Sequence, residues 1–153
     1  GYRAKGEEIM DAPQDIIFDK DNFISVFNQD IVTTKKEILI VSPFARQRRT
    51  HQMIQHLKNA IEEHILITVV TRPKEDFPKK DHSALQKALD LLTHSGINII
   101  YKSNIHQKFA IMDQKIVWYG SINLLSYGRA QESIMRIEGP NIANELIKSI
   151  ENA

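Results

Sequence analysis

The stretch Ile38-Leu39-Ile40-Val41-Ser42-Pro43 is the strongest indication of how this chain folds. Four consecutive apolar residues, closed by a polar residue and a proline, are typical of a strand buried on both faces of a sheet. Similar runs follow at 65–70 and 97–101, and the segments between them, around 53–61 and 82–95, repeat apolar residues every three or four positions. This β-α-β-α-β order predicts a mixed α/β fold, with a largely parallel central sheet and helices packed on both faces.

The chain before this run has a different character. Residues 1–21 are polar and contain Gly6 and Pro13, and a helix with apolar residues at three- and four-residue spacing is predicted to begin after Asp21 or Asn22. We therefore divide the chain into a lead-in and helix over 1–34 and one domain over 35–153. The first residue is glycine rather than methionine, which predicts a piece excised from a longer protein.

After residue 101 the strands become shorter and closer together. Runs at 108–112 and 116–119 flank Asp113-Gln114-Lys115, which predicts a hairpin. A short segment at 123–127 follows. A further strand at 133–137 and an amphipathic helix that begins after Gly139-Pro140 complete the predicted domain.

Composition narrows the function classes. The 153 residues are 42% hydrophobic and 25% charged, as in one globular domain. The chain has no cysteine, which excludes disulfides, a cysteine nucleophile and thiolate metal ligands. No apolar run approaches the ~18 residues of a membrane-spanning helix, so we expect a cytoplasmic protein without membrane partners. Residues 35–80 carry ten Lys and Arg against five Asp and Glu, a balance that suits a polyanionic partner.

The residues with catalytic potential lie between 106 and 132. Strand alternation predicts that His106 and Lys108 share one face. The hairpin is expected to return Ser121 and Asn123 to the start of the same strand. One small area would then hold an imidazole, an ammonium, a hydroxyl and a carboxamide.

These groups suit phosphate chemistry. Lys108 offers three donors and a fixed charge, while Ser121 and Asn123 add neutral donors. Asn123 is also a candidate cap for the short segment that follows it, aiming backbone N–H groups at an anion. His106 brings an imidazole, a group that can serve as nucleophile or proton carrier. Glu132 is placed to accept a hydrogen bond from the second ring nitrogen of His106.

The string His106-x-Lys108-x4-Asp113-x6-Gly120-Ser121-x-Asn123 resembles the HKD motif of the phospholipase D superfamily at every defining position. The resemblance covers about residues 35–151. It implies a phosphodiesterase that works through a phosphohistidine on His106 and needs no metal or other cofactor. It also implies that Lys108 and Asn123 grip the phosphate, that Ser121 supports the phosphate or the histidine, and that Glu132 orients His106. Asp113 belongs to the motif, but its place at the hairpin turn predicts a structural role.

Many members of that superfamily carry two such motifs, which together form one active site. This chain has one, because none of its other histidines is followed by lysine two residues later. Single-motif nucleases of similar size pair two subunits about a twofold axis, so the resemblance implies a homodimer. A second motif elsewhere in a longer parent chain is the alternative.

Three function classes remain open. We favour a nuclease acting on DNA or RNA, with DNA ahead of RNA, and the basic residues Arg46, Arg48 and Arg49 are either contacts to the nucleic-acid backbone or an ordinary solvated loop. The second class is a phospholipid phosphodiesterase or phosphatidyltransferase. The third is a nucleic-acid-binding module that does not cleave, fused to or acting with a helicase or ATPase. Trp118 and Tyr119 are expected to pack, although Tyr119 lies close enough to the motif to stack on a base.

Overall fold

The computed structural model describes residues 16–153, so the predicted features at Gly6 and Pro13 lie outside the described residues. In chain order the elements are β1 (Ile17–Asp19), α1 (Phe23–Thr33), β2 (Glu37–Val41), α2 (Gln47–Glu62), β3 (Leu66–Thr71), α3 (His82–His94), β4 (Asn98–Tyr101), β5 (Phe109–Met112), β6 (Ile116–Gly120), β7 (Ser133–Glu138) and α4 (Pro140–Glu151). Two short 3-10 turns, Lys74–Asp76 and Lys79–Asp81, connect β3 to α3.

The seven described strands form one mixed sheet in the order β1-β7-β6-β5-β2-β3-β4. The adjacent strands β2, β3 and β4 are parallel, as the β-α-β-α-β pattern predicts. The remaining four pairings are antiparallel. The mixed α/β fold class is therefore confirmed, and the second half of the sheet is built from the hairpin and its neighbours.

One edge of the sheet collects most of the residues with catalytic potential. Val41 at the end of β2 pairs with Phe109 at the start of β5, which in turn pairs with Tyr119 near the end of β6. Gly120 then pairs with Ile134 at the start of β7. The segments that follow β2 and β6 and those that precede β5 and β7 therefore meet at one edge, which we call the carboxyl edge.

Helices cover both faces of the sheet, which confirms the prediction. Strand alternation sends Ile38 and Ile40 to the face covered by α1, α2 and α3, where the larger apolar cluster lies. Leu39 and Val41 point to the other face, where α4 packs with Ala143 and Ile150. The result is a three-layer domain with apolar side chains on both sides of β2.

The sequence analysis did not predict β1. This strand has only three residues and pairs at the sheet edge with β7, and Ile17 is 60% exposed, so no periodic pattern marks it. Phe18 is buried with its ring centroid 5.3 Å from that of Trp118. Phe27 in α1 packs against the same indole at 5.4 Å. Residues 16–34, which the sequence analysis set apart as a lead-in and helix, thus contribute the strand β1 and the predicted helix to the same core.

A buried carboxylate joins α1 to the sheet. Asp30 is 5% exposed, and its Oδ2 accepts hydrogen bonds from Trp118 Nε1 at 2.8 Å and Arg136 Nε at 2.7 Å. Arg136 Nη2 donates to Asp30 Oδ1 at 2.9 Å, which completes a bidentate pair. Hydrogen bonding to Asp30 raises the pKa of Arg136 above its usual value.

The turn between β5 and β6 is held by Asp113. Its carboxylate accepts hydrogen bonds from the backbone N–H groups of Lys35, Lys36 and Glu37, at 2.8 to 3.0 Å. Asp113 and Gln114 have φ values of 53° and 57°, a left-handed conformation that aspartate and asparagine tolerate better than most residues. Although partial burial opposes ionisation, the three N–H donors outweigh it and lower the pKa of Asp113.

Replacing Asp113 with Asn is expected to lower the free energy of unfolding by about 1 kcal/mol at pH 7, because the N–H groups lose a charged acceptor at a partly exposed site. Asparagine keeps the tolerance for positive φ, so backbone strain does not contribute. Since the folded pKa lies below the unfolded value of about 3.9, the stabilisation is complete above that pH and is lost as the pH falls through the folded value. Urea unfolding should therefore show a smaller difference at pH 3. An equal difference at both pH values would contradict this explanation.

Candidate active site

The segment that carries the imidazole and the ammonium precedes β5 instead of lying within it. The predicted strand included Lys108, but β5 begins at Phe109, and His106 and Lys108 lie in irregular backbone at the carboxyl edge. The expected alternation therefore does not apply to them. The Lys108 carbonyl accepts a hydrogen bond from Gly120 N–H at 3.3 Å, which ties this segment to β6. Lys108 Nζ donates to the His106 carbonyl at 3.0 Å, and the His106 side chain is exposed.

Gly120 permits a close approach between β6 and β7. A Cβ atom at this position would collide with the Ser133 carbonyl oxygen and would lie 2.6 Å from Ile134 Cα. Only glycine allows the two backbones to approach this closely. The close approach sets the position from which the following residues, Ser121 and Asn123, leave the sheet.

The Ser121 hydroxyl is engaged with the backbone of β7. The hydroxyl oxygen accepts a hydrogen bond from Ser133 N–H at 3.1 Å, and the hydroxyl group donates to the Ser133 carbonyl oxygen at 3.4 Å. Ser121 N–H also donates to that carbonyl at 2.9 Å. In this arrangement Ser121 joins the two strands and positions the turn, whereas the sequence analysis gave it a direct donor role.

Asn123 places an unpaired side-chain carbonyl oxygen at the site. Its Oδ1 is buried and has no hydrogen-bond partner among the described residues. The side chain does not cap the following turn, contrary to the expectation; the Asn123 backbone carbonyl instead accepts from Ser126 N–H at 3.1 Å and Tyr127 N–H at 2.9 Å. Those two N–H groups are consequently not directed at an anion. Since buried polar atoms are normally paired, the free Oδ1 makes Asn123 a candidate for contact with a ligand.

The connection between β2 and α2 fastens the turn that carries Asn123. Ser42 Oγ accepts from Leu125 N–H at 3.3 Å, and the Leu125 carbonyl accepts from Arg46 N–H at 2.8 Å and from Thr50 Oγ1 at 3.3 Å. Sequence reasoning missed Ser42 and Thr50 as supports of the site. The position of Ser42 directly after the first buried strand of the sequence analysis could have indicated that it lies at the carboxyl edge.

The three predicted nucleic-acid contacts have different environments. Arg49 Nε donates to the Tyr127 carbonyl at 2.8 Å, and its guanidinium carbon lies 3.8 Å from the centroid of the Tyr127 ring. Arg49 therefore holds the loop after Asn123. Arg46 and Arg48 are exposed at the start of α2, and the Arg46 guanidinium lies over the Phe44 ring, 5.0 Å from its centroid.

Glu132 lies at the carboxyl edge, directly before β7, and is half-buried. Within residues 16–153, no hydrogen bond or ion pair joins Glu132 to His106. The predicted contact between these two side chains is therefore not formed in the single chain. Tyr119, 37% exposed, stacks on Phe109 with their ring centroids 6.2 Å apart, which agrees with the expected packing role.

Residues 16–153 contain no group of three or more histidine, aspartate and glutamate side chains arranged to hold a metal ion. In the same part of the chain, no helix combines the length and apolar character needed to cross a bilayer.

Comparison with known families gives one match over most of the chain. A family model described as the cardiolipin synthase, PLD-like domain, matches residues 27–153. The match begins within α1 and includes every residue of the His106 to Asn123 motif. No curated protein sequence matches the chain significantly.

Solved structures share the same fold. A phospholipase D family member, Nuc from Salmonella typhimurium, superposes with a TM-score of 0.70 at 18% identity, over 89% of this chain and 90% of that chain. NucT from Helicobacter pylori gives 0.68 at 14% identity, over 89% and 92%. TrmBL2, an archaeal chromatin protein with a novel mode of DNA binding, gives 0.60 at 10% identity, over 93% of this chain and 53% of that one. At these identities the likeness establishes the fold.

Replacing Gly120 with Ala is expected to destabilise the protein by about 1–3 kcal/mol, since the new methyl group forces β6 and β7 apart. The loss should appear as a lower denaturation midpoint in urea. Gly128→Ala is the matched control, because a Cβ atom there meets nothing within 4 Å. Equal stability of the two variants would show that the close approach at Gly120 is not required.

Proposed function

We propose that this chain, which belongs to the family of the cardiolipin synthase, PLD-like domain, is a metal-independent phosphodiesterase that hydrolyses nucleic-acid phosphodiesters through a phosphohistidine on His106. The main support for the proposal is that Lys108, Ser121 and Asn123 lie at the edge of the sheet where His106 is exposed, so that the Lys108 ammonium and the Asn123 Nδ2 group can both donate to a phosphate there. These groups suit a phosphate with two ester bonds, because they supply positive charge and hydrogen-bond donors beside a nucleophile.

The reaction proceeds in two displacements. A neutral ring nitrogen of His106 attacks phosphorus, and the bond between phosphorus and the leaving oxygen breaks as an acid protonates that oxygen. Water then attacks the phosphohistidine, gives up a proton to the conjugate base of that acid, and releases a phosphate monoester with His106 restored. Lys108 and the Asn123 amide stabilise the charge that develops on the phosphate oxygens in both steps.

Ser121 and Glu132 act through other groups in this mechanism. Ser121, bonded to the β7 backbone, positions the turn from which Asn123 reaches the phosphate. Glu132 is assigned to orient His106, and this role requires a hydrogen bond that the assembled active site would have to form. Asp113 lies at the opposite end of the hairpin from Lys108 and supports the hairpin rather than the phosphate.

The mechanism needs a nucleophile and a separate acid, and one motif supplies a single histidine. A histidine that attacks phosphorus cannot also protonate the leaving oxygen in the same step, so a separate acid is required. We therefore propose a twofold homodimer in which the His106 side chains of the two chains face one phosphate. The alternative of a partner motif on a longer parent chain, such as one with a helicase or ATPase module, would satisfy the same requirement.

Nucleic acid is the proposed substrate because basic side chains lie next to the motif. Arg46 and Arg48 are exposed on α2, whose start is bonded to the turn that carries Asn123. Contacts of this kind to backbone phosphates add affinity for nucleic acid without distinguishing base sequences. Between the two nucleic acids, we propose DNA as the substrate before RNA. The description of the matched family supports a second candidate, phosphatidyl transfer. Likeness to the archaeal chromatin protein supports a third, binding of DNA without cleavage.

Hydrolysis is expected to persist in millimolar EDTA, because Lys108 and Asn123 take the place of a metal ion.

His106→Ala should abolish hydrolysis while leaving the denaturation midpoint unchanged, since its side chain is exposed. His51→Ala, at another exposed histidine, is the matched control and should keep full activity. Assays on single-stranded and duplex DNA, RNA and phosphatidylcholine separate the three candidates. Complete loss of activity in EDTA that Mg²⁺ restores would contradict the mechanism.

A dimeric active site makes a quantitative prediction for mixed chains. If each site needs two His106 side chains, coexpressed wild-type and His106→Ala chains should give activity that falls as the square of the wild-type fraction. Sites complete within one chain would instead give a linear fall. The mass of the active species, measured by light scattering, checks the same point, and a fully active monomer at nanomolar concentration would contradict the dimer.

A further inference from the structure

We infer that a basic cleft at the carboxyl edge, between the start of α1, the start of α2 and the loop at 126–129, binds a single strand of nucleic acid that extends away from His106. The inference rests on the proposed function, which makes nucleic acid the substrate that enters the site. It adds two residues, Lys20 and Arg129, that the sequence analysis did not consider.

The cleft has a volume of about 850 Å³ and is strongly cationic. Five of its lining residues are basic and one is acidic: Lys20, Arg46, Arg48, Arg49, Arg129 and Asp21. No single stretch of the sequence carries all of this positive charge, because the basic residues come from three segments separated by up to about a hundred positions. Folding brings them together since β1 ends, and α2 begins, at the same edge of the sheet.

The single carboxylate only partly offsets this charge. Asp21 lies 3.7 Å from Lys20 Nζ, and its side chain is 83% exposed. The Lys20 side chain is 25% exposed, and because its partner is solvated and 3.7 Å away, an incoming phosphate can replace Asp21 as the partner of Lys20 at small cost. Arg49 is committed to the wall of the cleft by its hydrogen bond to the Tyr127 carbonyl, and the Arg46 guanidinium lies over the Phe44 ring, 5.0 Å from its centroid. Arg48 and Arg129 are exposed, which leaves their guanidinium groups accessible to phosphate.

Backbone hydrogen bonds join the wall of the cleft to the turn that carries Asn123. Tyr127, which lines the cleft, donates its N–H to the Asn123 carbonyl at 2.9 Å. Arg46 lines the cleft and donates its backbone N–H to Leu125, two residues after Asn123. A strand whose scissile phosphate meets Lys108 and Asn123 can therefore place its neighbouring phosphates on the cleft without leaving the protein surface.

The size of the cleft favours one strand over a duplex. Its volume falls in the range of about 300–1,000 Å³ typical of small-ligand sites, which suits a few nucleotides and is too small to enclose a double helix. A positively charged groove that follows the backbone is the usual way in which proteins hold single strands. A phospholipid with one phosphate fits less well, because it leaves the remaining basic side chains of the cleft unpaired.

The test measures binding in a chain that cannot cleave. Fluorescence anisotropy with a labelled 20-nucleotide single strand compares His106→Ala with the same chain carrying Lys20→Ala and Arg129→Ala. We expect the two added changes to weaken binding about tenfold, equally for unrelated sequences. They should also reduce the magnitude of the slope of log K against log[salt] by about 0.7 for each phosphate that the protein no longer neutralises.

The control removes two exposed lysines from the opposite edge of the sheet, Lys36 and Lys115, and has the same net charge as the cleft variant. We expect it to bind the strand almost as His106→Ala does. Equal weakening in the control and the cleft variant would overturn the inference, because binding would then follow net charge alone. Equal loss of binding to a duplex of the same length would overturn the assignment to a single strand.

Hydrolysis of bis(p-nitrophenyl) phosphate separates this inference from the proposed function. That diester is too short to reach the cleft, so in a chain that keeps His106 the changes Lys20→Ala and Arg129→Ala should leave its rate unchanged. If the wild-type protein hydrolyses it but the cleft variant binds strands normally, the cleft inference is wrong and the function stands. If the protein hydrolyses no diester, yet strand binding depends on Lys20 and Arg129, the function is wrong and the cleft inference stands.

Discussion

The buried carboxylate of Asp30 is the interaction that holds together the half of the domain that carries the site. It accepts the indole N–H of Trp118 in β6 and a bidentate pair from Arg136 in β7, so that one residue of α1 fixes both strands. Removing one member of such a buried pair typically costs about 3–5 kcal/mol, because the other charge is left without a partner. Both strands run to the carboxyl edge, where β6 continues into Ser121 and Asn123 and β7 begins after Glu132. An ion pair in the core thereby sets the relative position of the residues at the surface.

Precision at the carboxyl edge comes mainly from backbone contacts. Gly120 lets β6 approach β7, Ser121 bonds to that strand, and the turn after Asn123 is fastened to the connection between β2 and α2 through Ser42 and Arg46. Few of these contacts involve the groups proposed to react. His106 and the Asn123 carboxamide are left exposed or unpaired, and Lys108 is held by one hydrogen bond to a carbonyl oxygen. This division agrees with the general rule that a site is positioned by rigid elements while its reacting groups stay available to the ligand.

The basic residues show the same division of labour. Arg49 is bonded to the Tyr127 carbonyl and lies against its ring, so its guanidinium organises the loop. Arg48 and Arg129 face solvent on the two sides of the cleft, where a phosphate can reach them. Arg48 and Arg49, which look equivalent in the sequence, thus serve different purposes, because Arg49 donates to a carbonyl oxygen while Arg48 is exposed.

Local sequence patterns were enough to predict the mixed α/β class, the β-α-β-α-β half and the hairpin, because buried strands and amphipathic helices leave periodic signals. Fixed residue types at fixed spacings also identified the motif from His106 to Asn123. Folding alone determined that β1 joins the sheet, since three residues carry no periodicity and their pairing with β7 spans more than a hundred positions. The same holds for the bond from Ser121 to β7, for the unpaired Asn123 carboxamide and for the cleft that Lys20 and Arg129 share. These features depend on contacts between distant segments, and the position of a residue along the chain does not reveal which remote groups folding will bring within bonding distance.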